Sequence, residues 1–187
     1  MYIFGYGSLL NTHSRLLTGQ TGDAIPVVVR GLVRHWSLID DSYQLSPLAI
    51  EIGEGQVNGV LLEVDDSSLG EFDIREAGYS RIKINHNKID VSVKLDSTKP
   101  VWVYVTNSIK NPTVHAPIVQ SYVDTVLAGC LEISEDFAIH FIETTLGWQH
   151  PFENDRTQPK YQRQAGVTDE HRSVIDNLLV KSAAYSL

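Results

Sequence analysis

The chain has 187 residues, of which 15 are basic and 23 are acidic, so its net charge is −8. This length fits one domain with a sizeable core, and the hydrophobic fraction of 42% is ordinary for a globular protein. The acidic balance argues against a nucleic-acid surface and against docking on anionic lipid, since both need clustered basic residues. We therefore expect a small-molecule partner, with the chain as a monomer or a homodimer.

The single cysteine and the first residues predict a cytoplasmic location. Cys130 has no second cysteine to pair with, and a lone thiol is typical of a reducing compartment. Residues 1–10 lack a basic region, and Gly5 and Gly7 interrupt their apolar run, which predicts a first strand and not a signal peptide. No stretch approaches the roughly 18 apolar residues of a membrane span.

Strands are predicted mainly in the first half, where apolar runs alternate with Gly, Pro, Asn and Asp. The predicted strands are residues 2–6, 27–38, 47–51, 57–64, 81–85, 88–95 and 101–106. The segment around Asn87 predicts a tight hairpin turn between two of them. Residues 147–166 have no clear period and predict a long surface loop.

Helices are predicted mostly late in the chain, at residues 12–17, 67–76, 117–131, 134–146 and 168–183. Asp65 and Asp66 are candidate caps for the second helix, and Gly78 is a suitable left-handed terminator. Several strands with few interleaved helices predict a mainly antiparallel α+β domain. Periodicity alone leaves open whether its sheet closes into a barrel.

A glycine-rich segment follows the first predicted strand. Gly5 and Gly7 let the backbone turn sharply and leave amide groups free to bind an anion such as a carboxylate. A phosphate loop is excluded because the Gly-Lys-Ser/Thr ending is missing. A nucleophile elbow is excluded because Tyr6 and Leu10 stand where glycines would flank Ser8. The alternative is a purely structural turn with Ser8 as a helix cap.

Glu76 is the candidate general base. Helical spacing places it on one stripe with Leu69 and Phe72, and these apolar residues should carry it towards the core. Desolvation would then raise the pKa of its carboxyl group towards the range useful to a base. By helical spacing, Arg75 is not expected to neutralise it. The alternative is that Glu76 frays into water at the last turn.

The other polar and aromatic candidates are weaker. The 7 histidines lack the short paired spacing of a metal site, so we expect neither a metal nor another cofactor. Cys130 lies on the apolar stripe of its helix and is expected to be a buried structural thiol. The tyrosines and tryptophans are expected to be core residues by default.

The glycine segment resembles the Tyr-Gly-Ser-x-Leu signature of the gamma-glutamylcyclotransferase superfamily. The matching residues are Tyr6, Gly7, Ser8, Leu9 and Leu10. Further resemblances follow in the family's order along residues 1–131. They are residues 58–60, Glu76 as the catalytic glutamate, residues 101–107, and Tyr122 with Gly129. Residues 154–156 are similar to the tails of some bacterial members, which border the pocket.

The resemblance implies a fold and a set of roles. The implied fold is α+β, a small mixed and mainly antiparallel β-barrel flanked by helices, with residues 1–187 as a single domain. Glu76 would be the general base, and Tyr79 and Tyr122 would line the pocket. The residues that would hold the alpha-carboxylate and amino end of a gamma-glutamyl group are Tyr6, Gly7, Ser8, Leu9 and Leu10.

The implied activity converts a gamma-glutamyl amine or a gamma-glutamyl amino acid to 5-oxoproline and a free amine. The reaction is intramolecular, so orienting the substrate supplies much of the barrier reduction, and a positioned carboxylate adds about 10²–10⁴-fold. It needs no metal, nucleotide or covalent intermediate. Two alternatives stay open: a non-catalytic module that binds a gamma-glutamyl or amino-acid ligand, and a relative that degrades glutathione or removes a gamma-glutamyl protecting group.

Overall fold

The computed structural model describes residues 1–17, 22–38, 43–76 and 78–182. These residues form nine strands and five α-helices. The strands are β1 (Tyr2–Gly5), β2 (Ala24–Trp36), β3 (Leu48–Glu63), β4 (Ser80–Ile84), β5 (Ile89–Val91), β6 (Val101–Val105), β7 (Ile118–Val119), β8 (Thr145–Leu146) and β9 (Phe152–Glu153). The helices are α1 (Thr12–Leu16), α2 (Asp66–Arg75), α3 (Gln120–Ile133), α4 (Glu135–Glu143) and α5 (Asp169–Lys181).

The main sheet has seven strands, in the order β4-β6-β1-β3-β2-β5, and β8 pairs with β2 beside this path. The pairings of β1 with β6 and of β2 with β8 are parallel, and the other pairings of this sheet are antiparallel. The sheet curls into a half-barrel that the helices flank. This architecture confirms the predicted α+β class with a mixed, mainly antiparallel sheet.

The long hairpin of β2 and β3 corrects one expectation. Residues 47–51 and 57–64 were expected as two strands, but nearly all of them belong to the single strand β3. It pairs with β2 from Ala24↔Leu62 to Trp36↔Leu48, with an irregularity between Arg30 and Leu32. The glycines between the two expected strands permit close approach across the pair, since a Cβ at Gly55 would lie 2.7 Å from the Leu32 carbonyl oxygen. They serve contact between strands and not a turn.

The hairpin predicted at Asn87 is wrong. β4 pairs with β6 and β5 pairs with β2, so the two strands lie at opposite edges of the sheet. Residues His86–Lys88 form a 3-10 turn, in which the Asn85 side chain accepts a hydrogen bond from the Asn87 N–H. Local turn chemistry predicted a turn correctly, but it carries no information on which strands pair.

The helix caps agree with the predictions from sequence. The Asp65 side chain accepts a hydrogen bond from the Ser68 N–H at the start of α2, and Ser134 and Thr168 cap α4 and α5 in the same way. Gly78 has a φ of 98° just after α2, as expected for a left-handed terminator. α3 begins three residues later than predicted because β7 precedes it, and the predicted end of α5 at Ala183 lies outside the described residues.

Helix α3 is the centre of the core on the helical side of the sheet. Its residues 120–130 are all buried, and it packs against α4, α5 and a 3-10 helix, Ser8–Leu10, that follows β1. A Cβ at Gly129 would lie 2.4 Å from the Asn11 backbone nitrogen, so this glycine lets α3 approach the segment after the 3-10 helix. Within the described ranges, no helix combines the length and the apolar character that crossing a bilayer requires.

Candidate active site

A cavity of about 670 Å³ lies where the end of β1 meets α2, α3 and the tip of the β2–β3 hairpin. Residues 160–163, in the loop between β9 and α5, form one wall of the cavity. The polar residues around it, with the tyrosines counted among them, are Tyr6, Ser8, Tyr43, Gln44, Arg75, Glu76, Tyr79, Tyr104, Tyr122, Lys160, Tyr161, Gln162 and Arg163. The cavity is large enough for a ligand of amino-acid or dipeptide size, which fits the usual scale of small-molecule sites.

Most of the residues singled out from sequence meet at this cavity. Those that line it are Tyr6, Gly7, Ser8, Leu9, Glu76, Tyr79 and Tyr122. Leu10 does not. Its side chain is 1% exposed and belongs to the core cluster that contains α3, so it supports the loop from behind. The structure therefore does not place Leu10 on the cavity wall with Tyr6, Gly7, Ser8 and Leu9, and its contact with a ligand stays a prediction.

The glycine loop places Ser8 and Leu9 in the wall of the cavity. Ser8 and Leu9 begin the 3-10 helix, so their N–H groups have no intrahelical acceptor, and none is found among the described residues. The cap position belongs to Gly7, and the Ser8 side chain makes no capping hydrogen bond, so the expectation of Ser8 as a cap is wrong. Free amides at a loop of this kind suit a carboxylate.

Position 7 needs a glycine because a side chain there would crowd Tyr122. The φ of Gly7 is −132°, which is not a left-handed conformation. A Cβ on Gly7 would lie 2.9 Å from the hydroxyl oxygen of Tyr122. The absence of a side chain therefore allows the Tyr122 hydroxyl to lie directly against the loop backbone.

Glu76 occupies the C-cap of α2, with φ −95° and ψ 30° and its N–H bonded to the Phe72 carbonyl oxygen. Its side chain is 23% exposed and lines the cavity, so it does not fray into water. Burial raises the pKa of the Glu76 carboxyl group, and the charges of Arg75 and Arg163 offset part of this rise. The predicted desolvation is present.

Arg75 contradicts the prediction that it would point away from Glu76. Its Nε lies 3.1 Å from Glu76 Oε1. Helical spacing separates the side chains of neighbouring residues, but Glu76 has left the helical conformation at the cap. The two side chains therefore turn to the same cavity wall. The base candidate has a guanidinium partner that helical periodicity could not predict.

A chain of hydrogen bonds anchors α2 to the sheet. The Tyr6 hydroxyl donates to the Tyr104 carbonyl oxygen over 2.9 Å, and the Tyr104 hydroxyl donates to Asp73 Oδ1 over 2.8 Å. Asp73 Oδ2 also lies 3.1 Å from Arg81 Nη1. Asp73 is thus committed to β4 and β6, one turn before Glu76, and this contact holds the base candidate in register with the glycine loop.

The phenol groups of the cavity are protonated hydrogen-bond donors at neutral pH. Burial raises the pKa values of Tyr6, Tyr79 and Tyr122 well above the ordinary value. Tyr122 stacks at a tilt on Tyr161, with ring centroids 4.6 Å apart. The Tyr6 hydroxyl already donates to Tyr104, so Tyr79 and Tyr122 are the phenols available as donors to a polar ligand bearing carbonyl or carboxylate oxygens.

A buried arginine supports the glycine loop from beneath. Arg34 is fully buried, and its guanidinium donates to the carbonyl oxygens of Tyr6, Asn58 and Phe141 over 3.4, 2.8 and 3.1 Å. The groups that accept these hydrogen bonds are neutral, and burial lowers the pKa of Arg34 to about 9, so it stays charged at neutral pH. Nothing in the sequence pattern identified this residue.

The segment 147–166 is more than the surface loop expected from its composition. Asp155 within it is buried and accepts hydrogen bonds from the Ser121 N–H and hydroxyl and from the Lys160 N–H, over 2.7, 2.6 and 2.7 Å. These bonds tie the loop to the start of α3, so residues 160–163 reach the cavity. The resemblance of residues 154–156 to family tails was the signal for this wall, although residues 160–163 themselves were missed.

A metal-binding cluster and Cys130 were the two weaker candidates from sequence. Within residues 1–17, 22–38, 43–76 and 78–182, no group of three or more His, Cys, Asp or Glu side chains could hold a metal ion. Cys130 is buried as predicted, and burial raises the pKa of its thiol to about 12. A protonated, inaccessible thiol is a poor nucleophile.

The sequence of this chain matches the model of a known protein family over more than half of its length. The family model described as gamma-glutamyl cyclotransferase, AIG2-like, matches residues 3–122. The chain belongs to this family. The matched range begins in β1, contains the glycine loop and Glu76, and ends at Tyr122.

Solved structures share the fold of this family member at low identity. An uncharacterized protein from Homo sapiens is 16% identical, with a TM-score of 0.61 over 94% of this chain and 97% of its own. A gamma-glutamyl cyclotransferase is 15% identical, with a TM-score of 0.60 over 94% and 98%. YkqA from Bacillus subtilis is 18% identical, with a TM-score of 0.55 over 74% and 51%. No curated protein matched the sequence.

Proposed function

We propose that this chain is a gamma-glutamylcyclotransferase that converts a gamma-glutamyl amine or gamma-glutamyl amino acid to 5-oxoproline and a free amine. The observation that carries the proposal is the partly buried Glu76 carboxylate, which shares one cavity with the glycine loop. Family membership supports the same reaction class.

In the proposed mechanism, the glycine loop holds the alpha end of the substrate. The N–H groups of Ser8 and Leu9 donate hydrogen bonds to the alpha-carboxylate, and Tyr6 and Gly7 shape this end of the site. This contact folds the gamma-glutamyl chain so that its own amine faces its gamma-carbonyl. Orientation of an intramolecular reaction supplies much of the barrier reduction.

Glu76 then moves the protons. It accepts a proton from the alpha-amine as the amine nitrogen bonds to the gamma-carbonyl carbon and the carbonyl oxygen gains the electron pair. The tetrahedral intermediate collapses, the bond from carbon to the leaving nitrogen breaks, and Glu76 returns the proton to the leaving amine. The phenol groups of Tyr79 and Tyr122 line this part of the cavity and are available as donors to the oxyanion. Atoms and charge balance without a metal or a covalent intermediate.

The test is a substrate panel of gamma-glutamyl amino acids, gamma-glutamyl amines and glutathione, with 5-oxoproline measured as the product. Release of 5-oxoproline from at least one member supports the proposal. Binding of these compounds without 5-oxoproline would instead support a non-catalytic module, and preference for glutathione would identify a glutathione-degrading relative. The cytoplasmic location, the monomeric or dimeric state and the single domain over residues 1–187 stay predictions.

A further inference from the structure

The charge of the cavity is opposite to that of the chain. The protein has a net charge of −8. Among the described residues that line the cavity, the cations are Arg75, Lys160 and Arg163, and the carboxylate is Glu76. A cavity with excess positive charge on an acidic protein attracts an anion in preference to a cation.

The three cations differ in what already neutralises them. Arg75 lies 3.1 Å from Glu76, and Lys160 lies 2.6 Å from Glu153. Arg163 forms no ion pair with any carboxylate in the described part of the chain. Its guanidinium lies 6.0 Å from the ring centroid of its neighbour Tyr161. Arg163 is therefore the cation with charge left to offer a ligand.

The wall that carries Arg163 also has an unused donor. The Tyr161 hydroxyl is buried and has no hydrogen-bond partner among the described residues. Buried polar groups are rarely left unpaired in folded proteins. A phenol and a guanidinium on one wall offer a set of donors that a carboxylate would satisfy.

We propose that Arg163 is a specificity-determining residue that binds a carboxylate on the leaving amine. This inference rests on the proposed function. The favoured substrates are then gamma-glutamyl amino acids or peptides with a free carboxylate, and gamma-glutamyl amines that lack one are disfavoured.

The position of Arg163 agrees with contact to the leaving side of the substrate. In the proposed mechanism, the amides of the glycine loop donate to the alpha-carboxylate, so that group does not need Arg163. Arg163 lines the same cavity as Glu76, and its charge acts on Glu76, which returns the proton to the leaving amine. In a gamma-glutamyl amino acid, the carboxylate of the leaving group is two bonds from that amine, in the part of the substrate that Arg163 would contact.

The experiment compares one gamma-glutamyl amino acid with its carboxamide, which differ only in the acceptor charge. Wild-type protein should have the higher kcat/KM for the acid. Arg163→Gln should lower kcat/KM for the acid about fivefold, the upper range for an exposed ion pair, and leave the amide unchanged. Arg163→Glu should lower it further. All variants are measured at one pH and at low salt, which leaves the interaction unscreened.

Arg30→Gln is the matched control. Arg30 is exposed and pairs with Asp90 away from the cavity, so this variant has the same change in net charge. The ratio of kcat/KM for the acid to kcat/KM for the amide should be the same in Arg30→Gln as in the wild type. If Arg163→Gln lowers kcat/KM equally for the acid and the amide, or lowers neither, the ratio of the two values is unchanged and the inference is overturned.

Failure of the proposed function is distinguishable from failure of this inference. If wild-type protein releases 5-oxoproline from neither compound, the proposed function fails. Calorimetric binding of the same acid and amide to wild type and Arg163→Gln then decides the inference: weaker binding of the acid alone supports it, and equal binding of the two overturns it.

Discussion

The Arg75 guanidinium lies 3.1 Å from the Glu76 carboxylate, and both side chains line one cavity. The pKa of Glu76 is subject to two opposing effects. Burial raises the pKa of Glu76, while the charges of Arg75 and Arg163 lower it, and the balance stays above the ordinary value of 4.5. A carboxylate in this condition holds a proton more readily than a solvated one, as a general base requires.

Glu76→Gln should lower kcat by about 10²–10⁴-fold, because the shape is kept while the base is lost. Burial raises the pKa of Glu76 in the folded state, so ionisation of this group costs stability as the pH rises above 4.5. The neutral glutamine avoids this cost. The melting temperature of Glu76→Gln at pH 7 should equal or exceed that of the wild type. A variant that retains more than about a tenth of wild-type kcat would exclude Glu76 as the base.

The pH profile of kcat/KM should have an acid limb with an apparent pKa above 4.5, since a protonated Glu76 cannot accept the substrate proton. Arg75→Gln removes a charge that lowers the pKa of Glu76, so its acid limb should move to higher pH. Arg30→Gln, away from the cavity, should leave the limb in place. A profile that is flat to pH 4, or a limb that moves to lower pH in Arg75→Gln, would contradict this assignment.

Gly7→Ala should weaken binding of 5-oxoproline, because the new Cβ would lie 2.9 Å from the Tyr122 hydroxyl oxygen. Overpacking of this kind costs about 1–3 kcal/mol. Tyr122→Phe removes the obstructing oxygen, so the double variant should lose less affinity than the two single variants added together.

Ser8→Ala is the matched control in the same loop. The Ser8 side chain makes no capping bond, and its loss should cost affinity about 1 kcal/mol or less. Calorimetric titration with 5-oxoproline, together with melting temperatures, measures both effects. Lower stability of Gly7→Ala with unchanged affinity in the folded protein would mean that the loop is a scaffold and that the ligand binds elsewhere.

Asp155→Ala should raise KM more than it lowers kcat. The buried Asp155 carboxylate accepts bonds from Ser121 and from the Lys160 N–H, and these bonds hold residues 160–163 at the cavity wall. Donors left without an acceptor cost about 1–3 kcal/mol each, so the free energy of unfolding should also fall. Asp90→Ala removes an exposed ion pair on β5. It should leave KM unchanged and change the free energy of unfolding by about 1 kcal/mol or less. An unchanged KM in Asp155→Ala would show that this wall does not contact substrate.

The helix boundaries and the inward position of Glu76 were predictable because they depend on neighbours in sequence. Asp65, Ser134 and Thr168 each cap a helix through a backbone N–H three residues away. Phe72 is 3% exposed and carries the α2 stripe into the core, as its spacing indicates. The motifs around Tyr6 and Glu76 predicted the family, which the match over residues 3–122 confirmed.

By itself, the sequence determined the family, the fold class and the residues proposed to do the chemistry, because helix caps, periodicity and short motifs act over a few residues. Only the tertiary structure decided which strands pair across the sheet, that Arg75 meets Glu76, and that Tyr122 lies against Gly7. It also brought Arg163 to a cavity whose other walls lie far earlier in the chain. Such contacts arise where packing joins distant segments, and no local preference of the backbone specifies them.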